Sequence, residues 1–416
     1  MIISADNQSL KNMETEQLSM FLKGIPESKV LVEINRQGKI IQKEITREKV
    51  VLNPVPFFEM LDAETGYIVL TEFNEKASLE VKNAFRELKK KGMKKLVFDL
   101  RSNPGGLLME AVNISNFFIE KGKIITSTKG KVKNWNATYK TSNEPLDLEI
   151  PIVVLINRRS ASASEIVSGA LQDYDRAVIL GERSFGKGLV QRYRELTYGT
   201  QLKITISKYY TPSGRCIQEL DYTNRDSKSG EVPKFSDKGI NKFKTEKGRI
   251  VYDGGGVLPD IKMTTSIQSK ATETLLKSKA IFNFGIDFFQ KNPSISSVEN
   301  YHFTKSDFKK FTQFLVTDTT FVIKQEKLFK DAYQVANNEA ISKEYEKIKQ
   351  QLFDDKIKEI IDNQDIIIPV IEEQIIRNYY YSEGVYQHHL KNDQAILEAV
   401  KLLQNNNKYS QILSGK

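Results

Sequence analysis

The sequence predicts an α/β core with a substantially parallel sheet, preceded by a small β-rich module and followed by a helical segment. Three observations carry this reading. Strand-like and helix-like periods alternate from about residue 66 to 182. Loops rich in Gly and Ser follow buried strands at 101–106, 157–165 and 181–188. Beyond about residue 267 the strand signals fade, and Leu, Ile and Phe recur at helical spacing among Lys, Glu, Asn and Gln.

The elements follow in order. Residues 30–47 (VLVEINRQGKIIQKEITR) alternate apolar and polar around a Gln37-Gly38 turn, the pattern of a β-hairpin. With the helix-like SLKNMETEQLSMFLKG before it, the hairpin forms a module over 1–52. The chain opens abruptly on MIISADNQSL, as if inside a domain, and an N-terminal truncation is expected. NPVPFF (53–58) reads as a Pro-bearing linker.

GYIVLTEF is then a strand, and 75–91 places Leu79, Ala84, Phe85 and Leu88 at helical spacing. KKLVFDL (94–100) is a buried strand, and Leu108, Ala111, Val112 and Ser115 begin the next helix. PIVVLIN (151–157) is another buried strand. Ala163, Ile166, Val167, Ala170 and Leu171 fall on one helical face before the strand AVILGE (177–182). Residues 190–210 and the glycines at 254–256 add β structure. The expected domains are 1–52, a core over 53–266 and a helical extension over 267–416.

Composition narrows the function classes. The chain has 416 residues, 39% hydrophobic and 28% charged, an ordinary globular balance. No apolar run of about 18 residues suggests a membrane-crossing helix, and the first thirty residues lack the basic and apolar regions of a signal peptide. The net charge of +9 suits an acidic partner or a membrane surface. Lys is spread over solvated helical faces, however, so nucleic acid is not an expected partner. The single cysteine, Cys216, excludes an intrachain disulfide and a Cys-based metal site, and is read as structural. Neither metal nor cofactor is expected.

Histidine placement decides more. His302, His388 and His389 all lie in the C-terminal third, so any hydrolytic chemistry between 95 and 260 needs another base. His388 and His389 point to different helix faces and are read as surface residues.

The loops supply that chemistry. The second carries Ser160, Ser162 and Ser164 from a strand into a helix, where a hydroxyl is exposed and main-chain N–H groups stabilise an oxyanion. Ser162-Ala-Ser-Glu165 also fits a capping box, which needs no catalysis. In the third loop, Gly181 to Lys187 has the spacing of a phosphate-binding P-loop. Gly188 replaces the magnesium-binding hydroxyl, and LVQRYREL reads as a strand. The alternative is that the glycines let the chain pass close to another backbone while presenting Lys187.

A lysine base must fall from about 10.4 to about 7–8, which burial promotes. Phe185, Gly186, Gly188 and Leu189 suit a desolvated position, and Gln191, four residues on, shares a face with Lys187. Gly105 or Gly106 of the first loop offers one oxyanion donor, and Ala163 the other.

Taken together, FDLRSNPGG, NRRSASASEI, GERSFGKGLVQ, TISKYYTPSGRCIQ and YDGGGVLPDI occur in an order that resembles the carboxyl-terminal processing peptidases, or tail-specific proteases, of peptidase family S41. The resemblance covers about residues 20–265 and implies a ClpP/crotonase-like peptidase core. It implies Ser162 as nucleophile, Lys187 as base, Gln191 assisting the lysine, and Glu165 as a supporting acid. It assigns Ala163 with Gly105 or Gly106 to the oxyanion hole.

Residues 1–47 resemble the second half of a tail-recognising PDZ domain whose carboxylate-binding loop is absent here. The extension resembles that of Bacteroidetes-type members. The implied partners are proteins or peptides with apolar C-terminal tails, in the periplasm or cell envelope, with a membrane-proximal location allowed. The alternative from another class is a catalytically inactive, peptide-binding scaffold of the same fold.

Overall fold

The computed structural model describes residues 1–36, 38–50, 52–235, 240–263, 269–336 and 342–415. The chain divides into two compact units, Met1–Asn53 and Pro54–Lys416.

The first unit comprises β1 (Ile2–Ala5), β2 (Gln8–Ser9), α1 (Thr15–Leu22), β3 (Lys29–Arg36) and β4 (Lys39–Thr46). Its sheet is antiparallel in the order β2-β1-β3-β4. The expected hairpin pairs Val30 with Ile45 and Ile34 with Ile41. Gly38 takes φ +83° at its turn, while Gln37 lies outside the described residues. Ala5, Leu10, Val30 and Val32 form a small core with Leu18 and Phe21 of α1. Sequence periodicity missed β1 and β2, which are too short to show an alternation.

The second unit is built on a six-stranded sheet in the order β16-β11-β10-β7-β6-β5. Its strands are β5 (Phe57–Met60), β6 (Thr65–Val69), β7 (Lys95–Asp99), β10 (Ile152–Ile156), β11 (Val178–Gly181) and β16 (Ile261–Lys262). All run parallel except the edge strand β5. Phe57 and Phe58, expected in a linker, begin that edge strand. Helices α2 (Ala77–Lys90), α3 (Leu108–Asn116) and α4 (Ala163–Asp173) form the crossovers. A second sheet, in the order β12-β13-β8-β9, contains β8 (Ile124–Lys129), β9 (Ala137–Lys140), β12 (Leu189–Glu195) and β13 (Gln201–Tyr210). A ribbon pairs β14 (Lys242–Lys244) with β15 (Ile250–Tyr252).

The parallel strands are apolar on both faces, so both faces need a cover. Ile68, Phe98, Val154 and Ile179 pack on one side with α2, α3 and α4. Tyr67, Val97, Leu155 and Val178 point to the other side. There they meet Ile396, Leu402 and Leu403 of α11 (Gln394–Gln404), and Tyr409 and Leu413 of α12 (Asn406–Ser414).

Each fully buried aliphatic side chain contributes about 1.5–3 kcal/mol. The Tyr409 hydroxyl also accepts the Ile152 N–H at 2.9 Å and donates to the Ile152 carbonyl at 3.0 Å. The last two helices are therefore a layer of the core, although the sequence places them in an extension. The expected boundary at 266/267 falls on 264–268, outside the described residues.

The remaining helices are α5 (Lys270–Lys277), α6 (Ala280–Lys291), α7 (Lys305–Phe314), α8 (Lys324–Ala336), α9 (Ser342–Asp362) and α10 (Gln364–Asn392). They enclose a separate core that includes Phe284, Phe311, Ile367 and Ile375. No helix among the described residues is long and apolar enough to cross a membrane.

Candidate active site

The three Gly/Ser-rich loops leave the C-terminal ends of β7, β10 and β11, which are neighbours in the sheet. Asn103, fully buried, ties the first loop to the second. Its side chain donates to the Leu70 carbonyl at 2.8 Å and accepts the Gly105 N–H at 2.9 Å. Its carbonyl accepts the Ala161 N–H and the Ser164 hydroxyl, both at 3.0 Å.

The loop serines divide by their partners. Ser164 donates to Asn103, and Ser160 donates to the Leu100 carbonyl at 2.8 Å; both are fully buried. Ser162 is half-exposed, and its hydroxyl donates to no group among the described residues. It caps α4 with φ 57° and ψ −111°. A residue with a side chain holds such angles only where its surroundings impose them.

Glu165 imposes much of this geometry. Its fully buried carboxylate accepts the N–H groups of Ser162 (2.8 Å), Lys187 (2.9 Å) and Gly186 (2.7 Å), and the Ser184 hydroxyl (2.6 Å). Burial pushes its carboxyl up, and these four donors oppose that shift. The Tyr209 hydroxyl donates to the Lys187 carbonyl and also lies 3.3 Å from the Ser162 carbonyl. Burial raises this phenol well above its ordinary range, so it stays a neutral donor.

Gly186 and Gly188 allow the close approach expected of them. A Cβ would sit 2.5 Å from Glu219 Cβ at the first and 2.7 Å from the Gln218 nitrogen at the second. The burial expected for Lys187 is only partial: the lysine is half-buried and Phe185 beside it is exposed. The Ser162 and Lys187 side chains are not hydrogen-bonded to each other in this structure.

Gln191 is exposed and makes no hydrogen bond to Lys187. The expected shared face fails because β12 begins only at Leu189 and is irregular between Val190 and Gln191. The four-residue spacing therefore does not span a regular strand.

Of the two candidate glycines, Gly105 has its N–H engaged by Asn103. A Cβ on Gly105 would lie 2.7 Å from Ser162 Cβ and 2.8 Å from the Ala163 nitrogen, so this stretch presses directly on the Ser162 turn. The N–H groups of Gly106 and Ala163 have no partner among the described residues.

Sequence reasoning missed Asn103, Ser184 and Tyr209. Tyr209 stands in the quoted SKYYTPSG segment, but its reach to Ser162 exists only once β13 lies alongside. The histidines form no part of this cluster. His388 is buried with Asn392 3.1 Å away, contrary to its surface reading, while His389 lies 3.4 Å from Glu373 and His302 lies 3.4 Å from Glu372. No group of three or more metal-ligating side chains occurs among the described residues. Cys216 is a half-buried free thiol whose pKa burial raises.

The helical segment reaches the first loop through Arg101. Its guanidinium lies 2.7 Å from both Asp99 and Asp393, and the Asp393 carboxylate also caps α11 through the N–H groups of Ala395 and Ile396.

Comparison with known proteins extends this picture. Residues 64–225 match the model of Peptidase family S41, and residues 271–403 match the C-terminal helical domain of a probable PDZ-protease. The chloroplastic C-terminal processing peptidase of Tetradesmus obliquus is 32% identical over 234 residues, covering 53% of this chain and 50% of its own. A probable CtpA-like serine protease of Staphylococcus aureus (strain COL) is 33% identical over 322 residues, covering 76% of this chain and 62% of its own. The solved photosystem II D1 C-terminal processing protease is 29% identical, with 63% of this chain and 62% of that chain covered and a TM-score of 0.41. The chain thus spans between half and two thirds of the length of these curated relatives.

Proposed function

We propose that this chain, whose residues 64–225 belong to peptidase family S41, is a serine endopeptidase that uses a Ser162–Lys187 dyad to cleave proteins near or from their C-terminal tails. One observation carries the reading. Ser162 is the loop serine whose hydroxyl donates to no group among the described residues, although it faces the Glu165 N–H in a capping box, and the carboxylate that holds its backbone also holds that of Lys187.

In this mechanism Ser162 Oγ attacks the scissile carbonyl carbon and Lys187 Nζ takes its proton. The N–H groups of Gly106 and Ala163 hold the oxyanion. The C–N bond then breaks, and the leaving amine takes the proton from Lys187. Water hydrolyses the acyl-enzyme with Lys187 again acting as base. For the first step, the four-carbon stem of Lys187 must swing Nζ into hydrogen-bond reach of Oγ and lose further solvent. Glu165 and Tyr209 hold the two backbones in place and touch no reacting atom.

The finer assignments belong to the same proposal. The substrate carries an apolar C-terminal tail, the module over 1–52 contributes to tail recognition, and the protein works in the cell envelope. Gln191 assists Lys187 only if the start of β12 rearranges.

The test is cleavage of an unfolded protein with an apolar C-terminus. Ser162→Ala and Lys187→Ala should each lower the rate by about 10³-fold or more. A serine-directed acylating reagent should label wild-type protein at Ser162 and leave Ser162→Ala unlabelled, which needs no substrate recognition. Wild-type activity in either variant would overturn the dyad.

A further inference from the structure

We propose that the exposed end of the second sheet docks on an anionic phospholipid bilayer. The β12–β13 ribbon pairs from Leu189–Lys208 to Glu195–Gln201, whereas β13 meets β8 only over Lys208–Tyr210. The ribbon therefore runs on past the end of β8. The β8–β9 turn projects from the same end, because Gly130 closes on the Ile206 carbonyl and the Arg192 guanidinium lies 5.9 Å from the Trp135 ring.

The chemistry of this end is unusual for a surface. Residues 191–198 and 201–205 are all exposed, so the ribbon has solvent on both faces. Yet it displays Tyr193, Leu196, Tyr198, Leu202 and Ile204, with Trp135 beside them. Arg192 stands opposite Ile204, and Arg194 opposite Leu202, so cationic and aliphatic side chains share one face.

Lys131, Lys133, Arg192, Arg194 and Lys203 face a single acid, Glu195, within 130–136 and 191–205. None of the five is ion-paired among the described residues, whereas many other lysines are, as in Lys89–Asp147 and Lys94–Glu64.

Unpaired cations beside exposed aromatic and aliphatic groups match a lipid interface. Phosphate headgroups take the cations, Trp and Tyr rings sit at headgroup level, and aliphatic side chains enter the acyl boundary. A stable protein interface needs about 800 Å² of complementary surface per partner. The two turns and a narrow ribbon form a projection, which a bilayer accepts without shape matching. The inference does not rest on the peptidase reading.

Trp135 is the only tryptophan in the chain, so its fluorescence reports this end directly. The full chain should co-sediment with vesicles of equal parts phosphatidylglycerol and phosphatidylcholine, with a blue shift of Trp135. Binding should weaken with added salt and vanish on pure phosphatidylcholine. Arg192→Glu with Arg194→Glu should lower it about tenfold or more, and Leu202→Ser with Ile204→Ser should lower it and abolish the blue shift. Ser162→Ala should bind as the wild type does. Absence of vesicle binding, or undiminished binding by the charge-reversed ribbon, overturns the proposal. So does a blue shift with an unfolded protein but not with vesicles, which would assign the ribbon to polypeptide.

Discussion

Ser162 and Lys187 donate their main-chain N–H groups to the same atom, Oε2 of Glu165, at 2.8 and 2.9 Å. The Ser162 turn and the Lys187 loop are therefore held by one carboxylate, and their spacing cannot drift independently.

Glu165→Gln tests that clamp. The amide keeps the shape but turns one acceptor oxygen into a donor facing N–H groups. Leaving a buried donor unsatisfied costs about 1–3 kcal/mol. The variant should lose that much stability in thermal unfolding and react at least tenfold more slowly with a serine-directed reagent. Wild-type reactivity with unchanged stability would remove Glu165 from its positioning role.

Tyr209→Phe removes the hydroxyl between the Lys187 and Ser162 carbonyls and leaves the ring in the core. The stability loss should be about 0.5–1.5 kcal/mol, the net worth of one hydrogen bond. The rate should fall further than that loss explains, with KM little changed. A rate unchanged alongside the stability loss would mark Tyr209 as structural only.

Gly105→Ala places a methyl 2.6 Å from the Ala161 carbonyl oxygen and 2.7 Å from Ser162 Cβ, at φ +97°. Neither neighbour is the end of a flexible side chain. The Ser162 turn must shift, so the proposed peptidase activity should fall about 10²-fold or more for a displacement near 1 Å. Circular dichroism should show the fold retained. Near-wild-type activity would show that the turn tolerates displacement.

Asp393→Asn addresses the join between α11 and the first loop. Burial pushes the Asp393 carboxyl up, but the Arg101 charge and hydrogen bond, the His389 charge and the Ile396 N–H together outweigh it and hold the group below the ordinary carboxylate range. A depressed folded value means that the stabilisation is fully present above the ordinary carboxylate pKa and is lost as pH falls from there through the depressed folded value. Unfolding temperatures should therefore drop on acidification below about pH 4 in the wild type. The variant should start lower at neutral pH and show a flatter profile there. Parallel profiles would show that this contact does not set the acid response.

The candidate site was legible in the sequence where its placement depends on local order. The strand–helix alternation, the three loops and the histidine-free stretch placed Ser162 and Lys187 at the ends of neighbouring strands. The shared face expected of Lys187 and Gln191 does not form in this structure, because β12 begins only at Leu189 and is irregular between Val190 and Gln191. Asn103, Ser184 and Tyr209 were invisible because their roles lie in contacts that sequence distance does not encode.

By itself the sequence determined which side chains are apolar and with what period. Tyr67, Val97, Leu155 and Val178 are apolar out of phase with Ile68, Phe98, Val154 and Ile179, which already required a cover on each face of the sheet. Only the tertiary structure decided that α11 and α12 supply the second cover, and that Glu165 binds two loops at once. The physical reason is the same in both cases. Burial and hydrogen bonding act through space, so a pattern states what must be satisfied, and the folded chain settles which distant residue satisfies it.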